Sequence, residues 1–116
     1  MTKSPDRIGE LRDSLVRRLE ALEAANDAAA ASRRPVELDQ AAVGRLSRMD
    51  ALQMQAMAQA AETQRIQERE RIKATIGRID AGDYGYCVAC GEDIAPKRLA
   101  VDPTIATCIR CASRTA

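Results

Sequence analysis

The sequence contains no histidine, tryptophan or phenylalanine, and its only aromatic residues are Tyr84 and Tyr86. The lack of histidine excludes Ser-His-Asp and Cys-His catalysis and any metal site that needs an imidazole ligand. Large aromatic side chains supply much of the area that a thick globular core buries. This chain of 116 residues has 22 alanines instead, and such a composition favours long helices that pack as thin pairs.

Long apolar runs and a strong charge of one sign are also missing. No stretch approaches the roughly 18 apolar residues of a membrane span. The N-terminal segment MTKSPDRIGELRD is charged throughout, unlike a secretory signal. The net charge of +1 argues against a broad nucleic-acid-binding face. The sequence therefore predicts a cytoplasmic protein that neither crosses a membrane nor binds DNA with sequence specificity.

The first 32 residues show helical periodicity. A helix is predicted from about Pro5 to Ser32, with proline in the first turn, where its missing N–H costs nothing. Its apolar residues recur every three or four positions: Ile8, Leu11, Leu15, Leu19, Leu22, Ala25 and Ala29. This apolar stripe predicts that the helix packs against a second helix.

A second helix is predicted from about Glu37 to Ile79. It is either continuous or broken between Gly44 and Ser47, where a capping box could restart it. The segment QRIQERERIK indicates a solvated face, and the larger apolar residues of this helix predict the other side of the pair: Leu38, Val43, Leu46, Met49, Met57, Ile66, Ile72, Ile76 and Ile79.

The helices are joined by Ser-Arg-Arg-Pro at 32–35. Proline disfavours helix at the residue before it, which predicts a turn near 32–36. Gly82 and Gly85 then end the second helix. The predicted fold is mainly α: a long antiparallel helical hairpin, or coiled coil, over 1–80, followed by a small four-cysteine zinc-finger module over 81–116.

Four cysteines lie in that module as two C-x-x-C pairs separated by seventeen residues: Cys87, Cys90, Cys108 and Cys111. Each pair bends tightly enough for both sulfurs to reach one metal, and the long connection brings the second pair round to complete a tetrahedron. The spacing predicts one structural zinc ion with a closed shell. Two disulfides, a redox switch and an iron–sulfur cluster are the alternatives, and reduced cytosolic thiols disfavour the disulfides.

The module resembles the zinc-finger signature of the DksA/TraR family of bacterial transcription regulators, with the same spacing between cysteines. The matching residues run from Gly82 to Cys111: Gly82-Asp-Tyr-Gly-Tyr-Cys87, Cys90-Gly91, Ile94, Arg98-Leu99, Pro103-Thr104, Cys108 and Cys111. The resemblance across the helices is mainly architectural. It implies a protein that binds RNA polymerase rather than DNA, inserts its hairpin into the secondary channel and modulates initiation.

The resemblance also implies functional residues at the hairpin tip, where the family carries an Asp-x-x-Asp-x-Ala motif. Here Asp39 and Ala41 match the second aspartate and the alanine, and Val36 replaces the first aspartate. Asp50, which is followed by alanine and lies nearer the cysteine module, is a second candidate. Either aspartate could instead cap a helix.

A response to the alarmone ppGpp in this family uses three basic residues. Arg71 matches the first, but Asp102 and Ala112 replace the other two. The resemblance therefore implies weak or absent dependence on ppGpp.

Four functions remain open at the level of the sequence. The leading interpretation is a non-enzymatic regulator that binds RNA polymerase, and the alternative is a zinc-stabilised coiled-coil adaptor for another protein. A nucleic-acid-binding zinc ribbon needs a basic face, which acidic residues interrupt in this module. An enzyme needs a nucleophile–base pair or an open metal site, and the sequence contains no such pattern.

Overall fold

A computed structural model describes the backbone of residues 5–32 and 45–114 and the side chains of 6–30 and 47–114. These ranges contain four helices: α1 (Pro5–Ser32), α2 (Arg45–Asp80), α3 (Pro96–Val101) and α4 (Ile109–Arg114). In the same ranges the only β structure is an isolated antiparallel bridge between Tyr86 and Asp93. The prediction of a mainly α chain is confirmed.

The bounds of α1 agree with the sequence, because it begins at Pro5 and ends at Ser32. The predicted turn at 32–36 and the predicted start of the second helix at Glu37 lie outside the described residues. Helix α2 already covers Arg45 and runs unbroken to Asp80. Ser47 therefore lies inside the helix, so the suggested capping box at 47–50 is wrong.

The C-terminus of α2 forms a Schellman motif. The N–H of Gly82 donates to the carbonyl of Ile79 at 3.1 Å, and the N–H of Asp83 donates to the carbonyl of Arg78 at 2.8 Å. Gly82 has a φ of 79°, a left-handed conformation that glycine adopts without steric cost. Glycine thus ends α2 where the sequence predicted, and the chain turns into the cysteine module.

The chain divides into two compact units. The first combines Met1–Leu19 with Glu70–Ala116, and the second is Glu20–Arg69. The cysteine module thus shares a unit with the start of α1 and the end of α2. This division does not test the predicted domain boundary between residues 80 and 81, which stays a prediction.

The first unit is built around two groups of buried residues. Leu15 on α1 and Ile72 and Thr75 on α2 are buried, and a second cluster fills the module: Tyr84, Cys87, Ile94, Leu99 and Cys108. Three half-buried helix residues pack against that second cluster: Ile8, Leu11 and Ile79. Contacts with both helices therefore fix the base of the cysteine module.

Thr75 is a fully buried polar residue that the apolar pattern did not indicate. Its hydroxyl donates to the carbonyl of Arg71 at 2.8 Å and accepts from Nη2 of Arg78 at 3.0 Å. Both partners lie on the same helix, one turn away on either side. Because the Thr75 hydroxyl both donates and accepts a hydrogen bond within α2, burial of Thr75 does not carry the free-energy cost of an unpaired polar group.

In the second unit the helix pairing is more polar than predicted. Leu22 is buried as predicted. At the next turn of α1, Ala25 is exposed and the neighbouring Asn26 is half-buried instead. The Nε of Arg65 donates to Oδ1 of Asn26 at 2.8 Å. Within the segment predicted to form a solvated face, Arg65 and Arg69 are half-buried, so that prediction is wrong at these positions.

Polar contacts also join the two helices within each unit. In the first unit, Arg12 on α1 forms a bidentate ion pair with Asp80 on α2, at 2.8 and 3.2 Å. In the second unit, Asn26 on α1 meets Arg65 on α2. Each contact joins α1 to α2 within its own unit, as the predicted helical hairpin requires.

Several apolar residues assigned to the hairpin core are not buried. Of the apolar residues predicted to face the hairpin core from the second helix, Ile72 is buried and Ile76 and Ile79 are half-buried. Met49 and Met57 are mostly exposed. Every described side chain from 47 to 60 is exposed. The core of the described helix pair is therefore concentrated toward the cysteine module.

Candidate metal centre

The first C-x-x-C pair lies on a tight backbone knuckle. The carbonyl of Cys87 accepts from the N–H of Gly91 at 2.9 Å, and the N–H of Cys87 donates to the carbonyl of Glu92 at 2.7 Å. Gly91 has a φ of 78°, and no atom lies near the position that its Cβ would take. Glycine is therefore favoured here by backbone conformation rather than by space.

The second pair lies at the start of α4. Cys108 immediately precedes the helix, and its carbonyl accepts from the N–H of Ala112 at 2.9 Å. Cys111 lies one turn along, so both sulfurs point from the same end of a short helix. The N–H of Val88 donates to the carbonyl of Ala106 at 2.9 Å, which joins the two pairs through their backbones.

The connection between the pairs is held by side chains that the sequence analysis did not assign. The Asp102 carboxylate accepts from the hydroxyl of Thr104 at 2.7 Å and from its N–H at 3.0 Å. These bonds, together with the charge of Arg71, hold the pKa of Asp102 below its usual range. An Asp-Pro-Thr sequence is a typical Asx-turn signal, and it could have predicted this contact.

Two further bonds close the loop around this connection. The Tyr84 hydroxyl donates to the carbonyl of Pro103 at 3.1 Å, and Nε of Arg98 donates to the carbonyl of Thr107 at 3.1 Å. Burial raises the pKa of Tyr84, which keeps its hydroxyl protonated as a donor. The first bond ties the start of the module to Pro103, and the second ties α3 to the residue just before Cys108.

The four sulfurs converge on one point. The Sγ atoms of Cys87, Cys90, Cys108 and Cys111 all lie within 4.8 Å of one another, and those of Cys90 and Cys108 are 3.7 Å apart. A tetrahedral zinc site with Zn–S bonds of about 2.3 Å has edges of about 3.8 Å. The cysteines are thus positioned to bind one metal ion, and the donor set fits zinc.

The thiols in this cluster are not equivalent. Hydrogen bonds from backbone N–H groups, first that of Cys108 and then those of Cys90 and Ala89, lower the pKa of Cys87 to about 6. Hydrogen bonds with the thiols of Cys108, Cys87 and Cys90 raise the pKa of Cys111 to about 12. A divalent cation bound by the four sulfurs would remove this difference between the pKa values of the thiols, because it stabilises all four thiolates together.

The other predicted functional residues lie apart from the metal centre in the sequence. Asp39 and Ala41 are outside the described residues. Asp50 is exposed on α2, within the second unit. No helix in the described ranges is both long and apolar enough to cross a membrane.

A comparison with known families matches residues 82–115 to the prokaryotic dksA/traR C4-type zinc finger. The chain carries the zinc finger of the DksA/TraR family. All four cysteines fall inside the matched range, so the matched finger, the convergence of the four sulfurs and the C-x-x-C spacing agree on a C4-type zinc site. The prediction of a DksA/TraR-type finger with one zinc ion is confirmed.

Curated relatives match a segment of 42 residues of the chain. The chain is 45% identical over 42 residues to the RNA polymerase-binding transcription factor DksA of Haemophilus influenzae, a match that covers 36% of this chain and 29% of the relative. It is 38% identical over 42 residues to the DksA of Escherichia coli strain K12, with 28% of that relative covered. The sequence similarity thus spans less than a third of each relative and is confined to a segment of this chain.

The similarity of fold extends further than that of sequence. The structure of transcription factor DksA2 from Pseudomonas aeruginosa matches with a TM-score of 0.73 and covers 97% of this chain and 85% of that protein. The sequence identity is 22%, so this match establishes the shared fold of helices and finger and nothing more specific.

Proposed function

We propose that this protein is a bacterial transcription regulator that acts by binding RNA polymerase. The observation that carries the proposal is the combination of a DksA/TraR finger at 82–115 with a DksA2-like fold across 97% of the chain. Two relatives that match 42 residues of the chain are named RNA polymerase-binding transcription factors. A finger alone occurs in proteins of many functions, whereas a finger at the base of a long hairpin is a much more specific arrangement.

The zinc ion has a structural role in this proposal. We assign the four thiolates of the cysteine cluster as its ligands, which leaves no coordination position for water or substrate. With four thiolates the zinc site carries a charge of about −2, which brings the net charge of the chain from +1 to about −1. A closed shell and a near-neutral chain fit a cytoplasmic protein–protein regulator better than an enzyme or a DNA-binding module.

The hairpin supplies the contact with the polymerase. We propose that it enters the secondary channel and that Asp39, Ala41 or Asp50 acts at its tip. A carboxylate on a narrow helix pair can approach basic side chains or a metal ion inside a pore, where a lowered dielectric strengthens the contact. The exposure of Asp50 leaves its carboxylate available for such a partner.

The proposal is tested by measuring the lifetime of a promoter complex. Zinc-loaded wild type is expected to bind the polymerase and to change this lifetime. Asp39→Asn or Asp50→Asn, whichever removes the working carboxylate, is expected to bind with an affinity within about threefold of wild type and to lose the effect on lifetime. Ala60→Ser, an exposed change on α2, serves as the control.

A second expected result concerns ppGpp. Asp102 replaces one of the three basic residues of the family, and it lies close enough to Arg71 for the charge of Arg71 to contribute to lowering the pKa of Asp102. Arg71→Ala is therefore expected to leave the ppGpp response of a purified transcription assay unchanged. Strong synergy between the wild-type protein and ppGpp would contradict this expectation, and Asp102→Lys tests whether the acidic residue is the cause.

A further inference from the structure

Three methionines lie within nine residues of α2, and neither the metal centre nor the helix pairing uses them. Met49, Met54 and Met57 expose 58%, 70% and 72% of their surface, and the neighbouring Leu52 exposes 65%. Exposed apolar residues that cluster in this way mark interaction surfaces in soluble proteins. Methionine adds a second property, since its thioether can be oxidised reversibly.

Their exposure follows from the register of the second unit. Asn26 on α1 contacts Arg65 on α2, and α1 ends at Ser32, six residues beyond Asn26. In an antiparallel pair, six residues before Arg65 is position 59. Helix α2 begins at Arg45, so its first four turns, which carry the three methionines, extend past the described end of α1.

We propose that Met49, Met54 and Met57 form a reversible oxidation site that controls the affinity of the hairpin for RNA polymerase. The inference rests on the proposed function, in which this part of α2 meets the polymerase. Sulfoxide formation turns a flexible apolar side chain into a polar one. Three such changes within nine residues replace much of the apolar surface of this stretch.

The chemistry is a two-electron oxygen transfer, with a hypohalous acid as the oxidant. A sulfur lone pair attacks the oxygen of hypochlorous acid, an S–O bond forms, and the O–Cl bond breaks. Chloride leaves with the bonding electrons, and the hydroxyl proton passes to water. Sulfur is oxidised and chlorine is reduced. Methionine sulfoxide reductases, which take electrons from a dithiol, reverse the change.

The cysteines are the competing targets of such an oxidant. Cys87 and Cys108 are buried, but Cys90 is exposed, so oxidation can also release zinc. The two effects are separable, because a thiol reductant with added zinc reverses disulfides and sulfenic acids at the cysteines while the methionine sulfoxides persist until the reductase acts. A loss of binding that survives the thiol treatment, is reversed by the reductases and is absent from a variant without these methionines therefore belongs to the methionines.

The test compares three proteins after hypochlorous acid, dithiothreitol and zinc have been applied in that order. The wild type is expected to gain three oxygen atoms at Met49, Met54 and Met57 by mass spectrometry. It is also expected to lose affinity for RNA polymerase by about tenfold. Treatment with the reductases restores the affinity. A variant with leucine at all three positions keeps the apolar surface without oxidisable sulfur, and its binding should not change.

A third variant, with glutamine at the three positions, should bind weakly without any oxidant because glutamine approximates the polarity of the sulfoxide. Full oxidation of the three methionines with unchanged binding overturns the inference, as does equal sensitivity of the leucine variant. If untreated wild type does not bind the polymerase at all, the proposed function fails as well, and the mass spectra still show whether the three methionines are oxidised together.

Discussion

Replacing Cys108 by serine is expected to abolish zinc binding and to unfold the finger. Structural zinc supplies about 10–16 kcal/mol of folding free energy in small modules, and the buried cluster here consists of only five residues, two of which are cysteines. The zinc content measured by elemental analysis should fall from about one ion per chain toward zero. Amide resonances of residues 82–111 should collapse to unfolded positions.

The matched control is Val88→Ser, which introduces the same residue next to Cys87 at a position that is 61% exposed. It should retain zinc and a folded finger. A Cys108→Ser protein that keeps one zinc ion and native amide resonances would contradict the assignment of a four-thiolate site. Removal of zinc from the wild type with a chelator should reproduce the effect of the substitution, and added zinc should reverse it.

Ile72→Ala is expected to cause the largest loss of stability among substitutions in the helices. Ile72 is 1% exposed, and deleting a buried isoleucine side chain usually costs about 2–5 kcal/mol because the cavity closes only partly. The free energy of unfolding is measured by urea denaturation in zinc-saturated buffer, followed by the helical circular dichroism signal. The zinc content should not change, since Ile72 lies outside the buried cluster that contains Cys87 and Cys108.

The control for this result is Ile66→Ala, the same substitution on the same helix at a residue that is 39% exposed. It should cost less than about 1 kcal/mol. Equal losses for the two variants would show that the helix pair is not held together by the core around Ile72. A large loss for Ile66→Ala alone would indicate that Ile66 is buried in an assembly larger than one chain.

The sequence predicted the finger most completely, because its constraints are local. Two C-x-x-C pairs limit the sulfur positions almost independently of the rest of the chain. Gly82 provides the left-handed residue that ends α2, and Gly91 provides the one that closes the first knuckle. The Asp102 turn is equally local, and Asp-Pro-Thr is a recognisable turn signal from which this turn can be predicted.

The helix pairing was predicted less completely, since it depends on register rather than composition. A straight helix has 3.6 residues per turn, so a stripe drawn at a fixed spacing drifts across the surface. This drift explains why Asn26, and not Ala25, lies at the interface. The partial burial of Arg65 and Arg69 could not be predicted from an apolar pattern, because long charged side chains can bury their apolar stems.

The most direct test of the account is an equilibrium measurement of binding between the zinc-loaded protein and bacterial RNA polymerase, with a known DksA in parallel. The account predicts saturable binding at one site per polymerase and competition between the two proteins. If DksA binds under the same conditions and this protein neither binds nor competes, the shared finger and fold reflect architecture alone, and the chain is better explained as a zinc-stabilised coiled-coil adaptor for another protein.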